Sequence, residues 1–322
     1  MAVGTSGTIS GLSLFTGVPV GVTIRMGLGD GMRGVFFRRV DLAGVDGQRL
    51  IAARVENVQG EARRTVLAAD GSGPTLQTVE HLLSALVGLG IGDAVIDVDG
   101  PELPIGDGSA KLFVDALADA GMAGDGSEDA ERAPTTVVVR DPIKIIEGGA
   151  ELEALPLSAS ELAAAIEGRG PATIYSYHFD FSCFPIVAMR DEAMRRVPAQ
   201  SASIALPLIA TAESRAEYGR EVAPARTFSL LEEAEAARSM GMFKHLTPRE
   251  MLVIGPHGPV ENAYRLANEP ARHKLLDMMG DLSLCGHRIV GRIVGRRSGH
   301  TMNHELARRL TRLAAMATEQ SI

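Results

Sequence analysis

Tryptophan is absent from this chain, and only two cysteines occur, Cys183 and Cys285, neither of them in a CxxC or CxxH spacing. That excludes a disulfide-stapled scaffold and a thiolate-rich structural zinc site, and leaves both residues expected as reduced, buried thiols of a cytoplasmic protein. No stretch approaches the ~18 uninterrupted apolar residues that a membrane span needs. The first ten residues also lack a basic segment followed by an apolar one, so secretion is not expected. Positive charge is scarce overall: the net charge is -8, which makes duplex nucleic acid a poor partner. A local exception is Arg288, Arg292, Arg296, Arg297, Arg308, Arg309 and Arg312. This basic C-terminal region could meet a diphosphate, touch membrane lipid peripherally, or form a solvated rim.

What the chain does have is an ordinary globular composition, 45% hydrophobic and 22% charged, over 322 residues, enough for two domains with sizeable cores. Residues 8 to 55 alternate short apolar runs with glycine, as antiparallel strands joined by tight turns do. The period then changes. Thr78 is placed to cap a helix whose stripe is Leu82, Leu83, Leu86 and Leu89, and Ala94 to Val98 returns to strand. A turn-rich stretch, residues 100 to 109, leads to a helix from Lys111 to Gly121. The polar segment from Gly121 to Thr136 reads as a linker, which sets a first domain at 1–124, a linker at 125–136 and a second domain at 137–322 with an insert around 185–260. Beyond it, strands are expected at 137–139, 143–146, 173–181, 251–254 and 289–294. Helices are expected at 231–242, around His273, and at 302–317. Residues 189 to 221 carry no clear period. Helix followed by glycine-bounded strand occurs at 81–98 and again at 273–294, hinting at two copies of one unit; the fold class expected is α+β, layered, not doubly wound.

The segment Arg272-His273-Lys274-Leu275-Leu276-Asp277-Met278-Met279-Gly280-Asp281-Leu282 reads as a helix starting near Pro270. His273 and Asp277 stand at i and i+4, and Asp281 falls within about 80° of the same face, so an imidazole and a carboxylate can point at one ion. A plain surface pair has the same spacing. Glu80 and His81 are adjacent and about 100° apart, so they suit a division of labour in which one binds metal and the other addresses a water; the bland alternative is a dipole-favoured Glu80 over a packed His81. His300 lies in a loop before the last helix, and His304 four residues on offers a competing metal pair. His178, His245, His257 and His287 have no ligating spacing. Two imidazoles and one carboxylate with a fourth position open is a catalytic zinc pattern, which iron(II) also accepts.

Four ordered stretches carry a resemblance: TVEHLLSALVGLGIGDAVIDVDGPELPIGDGSA, ARTF at Ala225 to Phe228, RHKLLDMMGDLSLCGH, and SGH at Ser298 to His300. Together they resemble the UDP-3-O-acyl-N-acetylglucosamine deacetylases, zinc enzymes that remove acetate from a lipid A precursor. The resemblance implies two domains of similar topology, with helices packed between the sheets and the site between them. It implies His81, His273 and Asp277 as metal ligands, Glu80 as general base, and His300 as a protonated histidine oriented by Asp281. Thr227 would help hold an oxyanion and Lys274 would be a cation near the substrate, a UDP-linked acylated amino sugar. A cytoplasmic monomer is expected. Two positions depart from the pattern, Phe15 where histidine is typical and Ala150 where lysine is, and so does the segment Phe243 to Pro248. The rival readings are a deacetylase of another N-acetylated sugar and a silent glycolipid-binding relative.

Overall fold

The computed structural model describes residues 6–26, 33–44, 50–60, 63–69, 73–122, 135–182, 192–193 and 195–319. Two sheets carry the architecture. In the first, β1 (Ser6–Leu12) pairs antiparallel with β2 (Pro19–Met26), and β2 antiparallel with β8 (Ala94–Val98). β8 then runs parallel to β3 (Val35–Arg39), which closes antiparallel on β4 (Leu50–Ala52). The second sheet repeats this path. β10 (Ile143–Glu147) pairs antiparallel with β11 (Ala150–Leu155), and β11 antiparallel with β17 (Arg288–Arg296). β17 runs parallel to β12 (Pro171–Phe179), and β12 closes antiparallel on β13 (Gln200–Pro207). A short strand β9 (Thr136–Val138) lies parallel to the start of β17.

In each half the central strand arrives after a helix and is followed by another. α1 (Glu80–Leu89) precedes β8 and α2 (Lys111–Asp119) follows it. α6 (Glu269–Ser283) precedes β17 and α7 (His300–Glu319) follows it. The fold is therefore α+β with two sheet-rich domains of one topology. Each half also has a small three-stranded sheet: β5 (Val58–Gln59), β6 (Val66–Ala68) and β7 (Thr75–Gln77) in the first, β14 (Phe228–Leu230), β15 (Leu252–Gly255) and β16 (Gly258–Pro259) in the second. The remaining helices are α3 (Ala159–Ile166), α4 (Ala212–Glu221) and α5 (Leu231–Ser239).

Inward alternation fixes the sheets: Val20, Val22 and Ile24 of β2 are buried, as are Tyr175, Tyr177 and Phe179 of β12. α1 and α6 pack on each other and are buried almost all round, as helices within a core must be. One continuous apolar cluster takes side chains from both sheets and both helices. The helices cross where Gly280 of α6 meets the backbone of Glu80 in α1, and a Cβ at Gly280 would run into the Glu80 carbonyl. Among the described residues no helix is long and apolar enough to cross a membrane.

Several local expectations are corrected. Thr78 does not cap α1: it sits at φ 59°, and its hydroxyl donates to Glu102 at 3.0 Å. The stretch 189–221, without a clear period, contains β13 and α4; β13 alternates inward Ala202, Ile204 and Leu206 with small residues, so its hydropathy contrast is weak. His300 is the first residue of α7 and not a loop residue. The linker expected at 125–136 and Cys183 lie outside the described residues, apart from Thr135 and Thr136; Cys285 is a free, buried thiol.

Candidate metal centre and acid–base site

The helix crossing brings the sequence-selected residues together. His81 stands in the first turn of α1, and His273 and Asp277 one turn apart on α6, all buried. Their donor atoms lie within 4.8 Å of one another. Asp277 Oδ1 is 3.4 Å from His273 Nε2 and 3.7 Å from His81 Nε2. A tetrahedral ion with N and O ligands at ~2.0–2.1 Å needs donor separations of ~3.3–3.4 Å, so the three fit a divalent metal with small adjustment.

The protonation states fit as well. His273 Nδ1 faces the Ala225 carbonyl at 3.1 Å, which makes it the N–H and leaves Nε2 its lone pair. Burial lowers His273 and, helped by the neighbouring His273, lowers His81 to about 3, so both are neutral imidazoles. Burial alone would raise the Asp277 carboxyl, but His273 and Lys274 beside it hold it below its ordinary value. Lys274 Nζ donates to Asp277 Oδ2 at 2.7 Å, so this cation holds a ligand's second oxygen.

Glu80 and Asp281 flank this group without joining it. Burial raises Glu80 to about 8, with His300 opposing. Asp281 is fully buried and accepts from His300 Nδ1 and Asn303 Nδ2, both at 2.8 Å. Burial and the N-terminal end of α7 both oppose a charge on His300, yet Asp281 prevails and raises it to about 9. Tyr177 fixes the approach to this histidine by donating to the Ser298 carbonyl.

Thr65, which sequence reasoning missed, ties the two carboxylates together. Its N–H donates to Glu80 Oε2 at 3.2 Å, and its hydroxyl donates to Asp281 Oδ1 at 2.5 Å and accepts from His304 Nε2 at 2.9 Å. His304 therefore belongs to the Asp281 network and not to a metal pair with His300. Nothing local marks Thr65, because its partner Asp281 is 216 residues away in sequence.

A buried ion pair anchors the segment that carries Thr227. Arg226 Nε meets Glu269 Oε1 at 2.7 Å, and Glu269 also accepts the Arg226 and Arg265 N–H groups at 3.1 and 2.8 Å. That pins ARTF to the start of α6, with Phe228 edge-on to His273 at 6.4 Å. Thr227 N–H donates to Gly108 at 2.7 Å. In the first half, fully buried Glu102 plays a comparable part, accepting from the Phe15 and Thr16 N–H groups at 3.0 Å. The departures from the family pattern meet each other: Phe15 is edge-on to Phe243 at 5.4 Å, with Arg64 4.1 Å above its ring. Ala150 is buried in β11. Much of the basic C-terminal region is engaged, Arg292 with Glu161, Arg297 with Asp180 and Arg309 with Glu305. His178, His245 and His287 make single polar contacts remote from the donors, and His257 is exposed.

Comparison with known proteins agrees with this arrangement. The model of the UDP-3-O-acyl N-acetylglycosamine deacetylase family matches residues 2–190 and 195–312. The chain is 36% identical to the UDP-3-O-acyl-N-acetylglucosamine deacetylase of Trichormus variabilis over 86% of each chain. It is 34% identical to that of Nostoc sp. (strain PCC 7120) over 86% of each chain, and 32% identical to that of Geobacter sp. (strain M21) over 90% of this chain and 81% of that one. A match of this extent places the chain in the UDP-3-O-acyl N-acetylglycosamine deacetylase family.

Proposed function

We propose that the protein hydrolyses the acetamide of UDP-3-O-(3-hydroxyacyl)-N-acetylglucosamine, releasing acetate in lipid A biosynthesis, with zinc as its metal. The observation that carries this reading is the convergence of three neutral or anionic donors, an uncharged-to-anionic Glu80 and a charged His300–Asp281 pair at one helix crossing. A bound zinc, or iron(II) on the same donors, would acidify a water and polarise the acetyl carbonyl. Glu80, held by the Thr65 N–H, takes the proton of the attacking water. His300 keeps its proton beside Asp281 and presents positive charge to the developing oxyanion and a proton to the leaving amine. The Thr227 hydroxyl completes the oxyanion contacts, and Lys274 orients Asp277 at the substrate's edge.

The UDP-sugar enters between the halves, past Phe15 and Phe243. We read the chain as two domains, 1–124 and 137–322 with an insert around 185–260, working as a monomer in the cytoplasm. The test is acetate release by the zinc-loaded protein from the acylated UDP-sugar and from the same sugar nucleotide without its acyl chain. Fast release from the acylated substrate only is the expected result. Equal release from both would assign a different N-acetylated sugar, and normal zinc binding with no release from any acetylated sugar would assign a silent relative.

A further inference from the structure

The two halves enclose a cavity of about 130 Å³ at the opposite ends of α1 and α6 from the candidate metal donors. Leu83 and Leu86 of α1 line it together with Leu206 and Ile289 of the second sheet. Its charged lining is cationic: Arg54 and Arg288 face it, and no aspartate or glutamate does, in a chain of net charge -8. Two donors in this lining are poorly matched. Tyr175 is 4% exposed, and its hydroxyl makes no hydrogen bond to any described residue. Arg54 reaches the Cys285 carbonyl only at 3.5 Å, beyond the ~3.2 Å of a sound N–H···O bond, and makes no ion pair with a described residue.

The Tyr175 ring is buried, and its hydroxyl, which no described residue accepts, opens onto the cavity as a donor. The Arg54 guanidinium, half-buried at the same cavity with one long bond to a carbonyl, has N–H groups left for an acceptor carrying negative charge. Thr173, Ser214, Ser283, His287 and Arg288 aside, the rest of the wall is apolar, and the space compares with the ~150 Å³ engineered cavity that takes up benzene. A phosphate dianion would bring more charge than these donors meet and no apolar surface for the leucines. We propose that this cavity binds a small carboxylate with a compact apolar body, the carboxylate on Arg54 and the Tyr175 hydroxyl and the body against Leu83, Leu86, Leu206 and Ile289. The site is separate from the metal centre, which lies at the other end of the helix pair.

The chain has four tyrosines, so labelling with 3-fluorotyrosine gives a fluorine spectrum with few lines, and Tyr175→Phe identifies the Tyr175 line by its loss. Full-length protein is titrated with benzoate, with benzamide as the neutral molecule of the same shape and with inorganic phosphate. The Tyr175 line should shift saturably with benzoate, and benzamide and phosphate should bind at least tenfold more weakly. In calorimetry Arg54→Met should weaken benzoate at least tenfold, and Tyr175→Phe, which keeps the ring, at least threefold. A benzoate held at the metal donors would leave the Tyr175 line in place and ignore both substitutions, which overturns the proposal. An unmoved Tyr175 line, or benzamide binding as tightly as benzoate, would show that the cavity holds water or a neutral guest only and also overturns it. Should Arg54→Met not fold, Arg54→Gln and Tyr175→Phe carry the same comparison.

Discussion

The two halves share one strand path but contribute unequally to the site. The first supplies Glu80 and His81 from the opening turn of α1, where the proposed reading gives Glu80 the water and His81 the metal. The second supplies a ladder within α6, His273, Asp277 and Asp281, and adds His300 from α7. The difference lies in how far each helix must reach. α1 meets α6 near its own N-terminus, so only its first turn faces the crossing, whereas α6 is crossed at Gly280 and presents carboxylates on both sides of it. A duplicated scaffold thus gives two equivalent helices, and the position of their crossing decides which residues of each can take part in chemistry.

The sharpest way to break this comparison is to remove one residue from each role. Glu80→Ala should keep one metal per chain, measured by elemental analysis, and lose about 10²–10⁴ in kcat. His81→Ala and His273→Ala should lose the metal itself. Near-wild-type turnover in Glu80→Ala would sink its assignment as base.

The anchoring carboxylates of the two halves also differ in kind. Glu269 faces a guanidinium, while Glu102 faces backbone N–H groups and a hydroxyl. Arg226→Met leaves Glu269 charged and buried, so it should cost about 3–5 kcal/mol in urea unfolding. Glu102→Gln retains an acceptor among neutral partners and should cost about 1–3 kcal/mol.

Two helical glycines, buried Gly280 and half-exposed Gly219, test the crossing itself. Gly280→Ala should destabilise by about 1–3 kcal/mol, because the new methyl meets the Glu80 carbonyl. Gly219→Ala in α4 meets nothing within 4 Å and should stabilise by about 0.5–1 kcal/mol. If both changes stabilised, close approach at Gly280 would not be what sets the helix separation.

The smallest effect expected is a shift in pH profile. His300, raised to about 9 by Asp281 against burial, must keep its proton, so kcat/KM should fall as pH rises through about 9. Asp281→Asn should move that alkaline limb down toward the ordinary 6.5. Because His300 holds its proton more tightly in the folded chain than in the unfolded one, its contribution to stability is complete below about 6.5 and is lost as pH rises through about 9. An alkaline limb that stays in place in Asp281→Asn would assign it to another group.

The sequence offered a spacing for the second half's candidate residues and none for the first half's, and both relied on resemblance. Helical spacing turns sequence distance into a shared face for His273, Asp277 and Asp281, but a plain surface pair has the same spacing, and the other motifs were needed to single them out. Glu80 and His81 have no such spacing, and only the family motif distinguished them from a helix start. Thr65, Glu102, Arg226 and Glu269 were missed because each acts across a fold contact that no local period encodes. The repeated strand path showed only as a helix-and-strand echo, since β13, which closes the second sheet, alternates its inward side chains with small residues and has little hydropathy contrast.

Neither half owns a complete set of metal donors, since His81 belongs to one helix and His273 and Asp277 to the other. An ion held there works as a reversible cross-link whose strength is set by its free concentration. At a hundredfold excess over its dissociation constant it would add about 2.7 kcal/mol to the docking of α1 on α6. The chain's mechanical cohesion would then follow metal supply, and chelation would loosen the seam between the halves before either sheet unfolded.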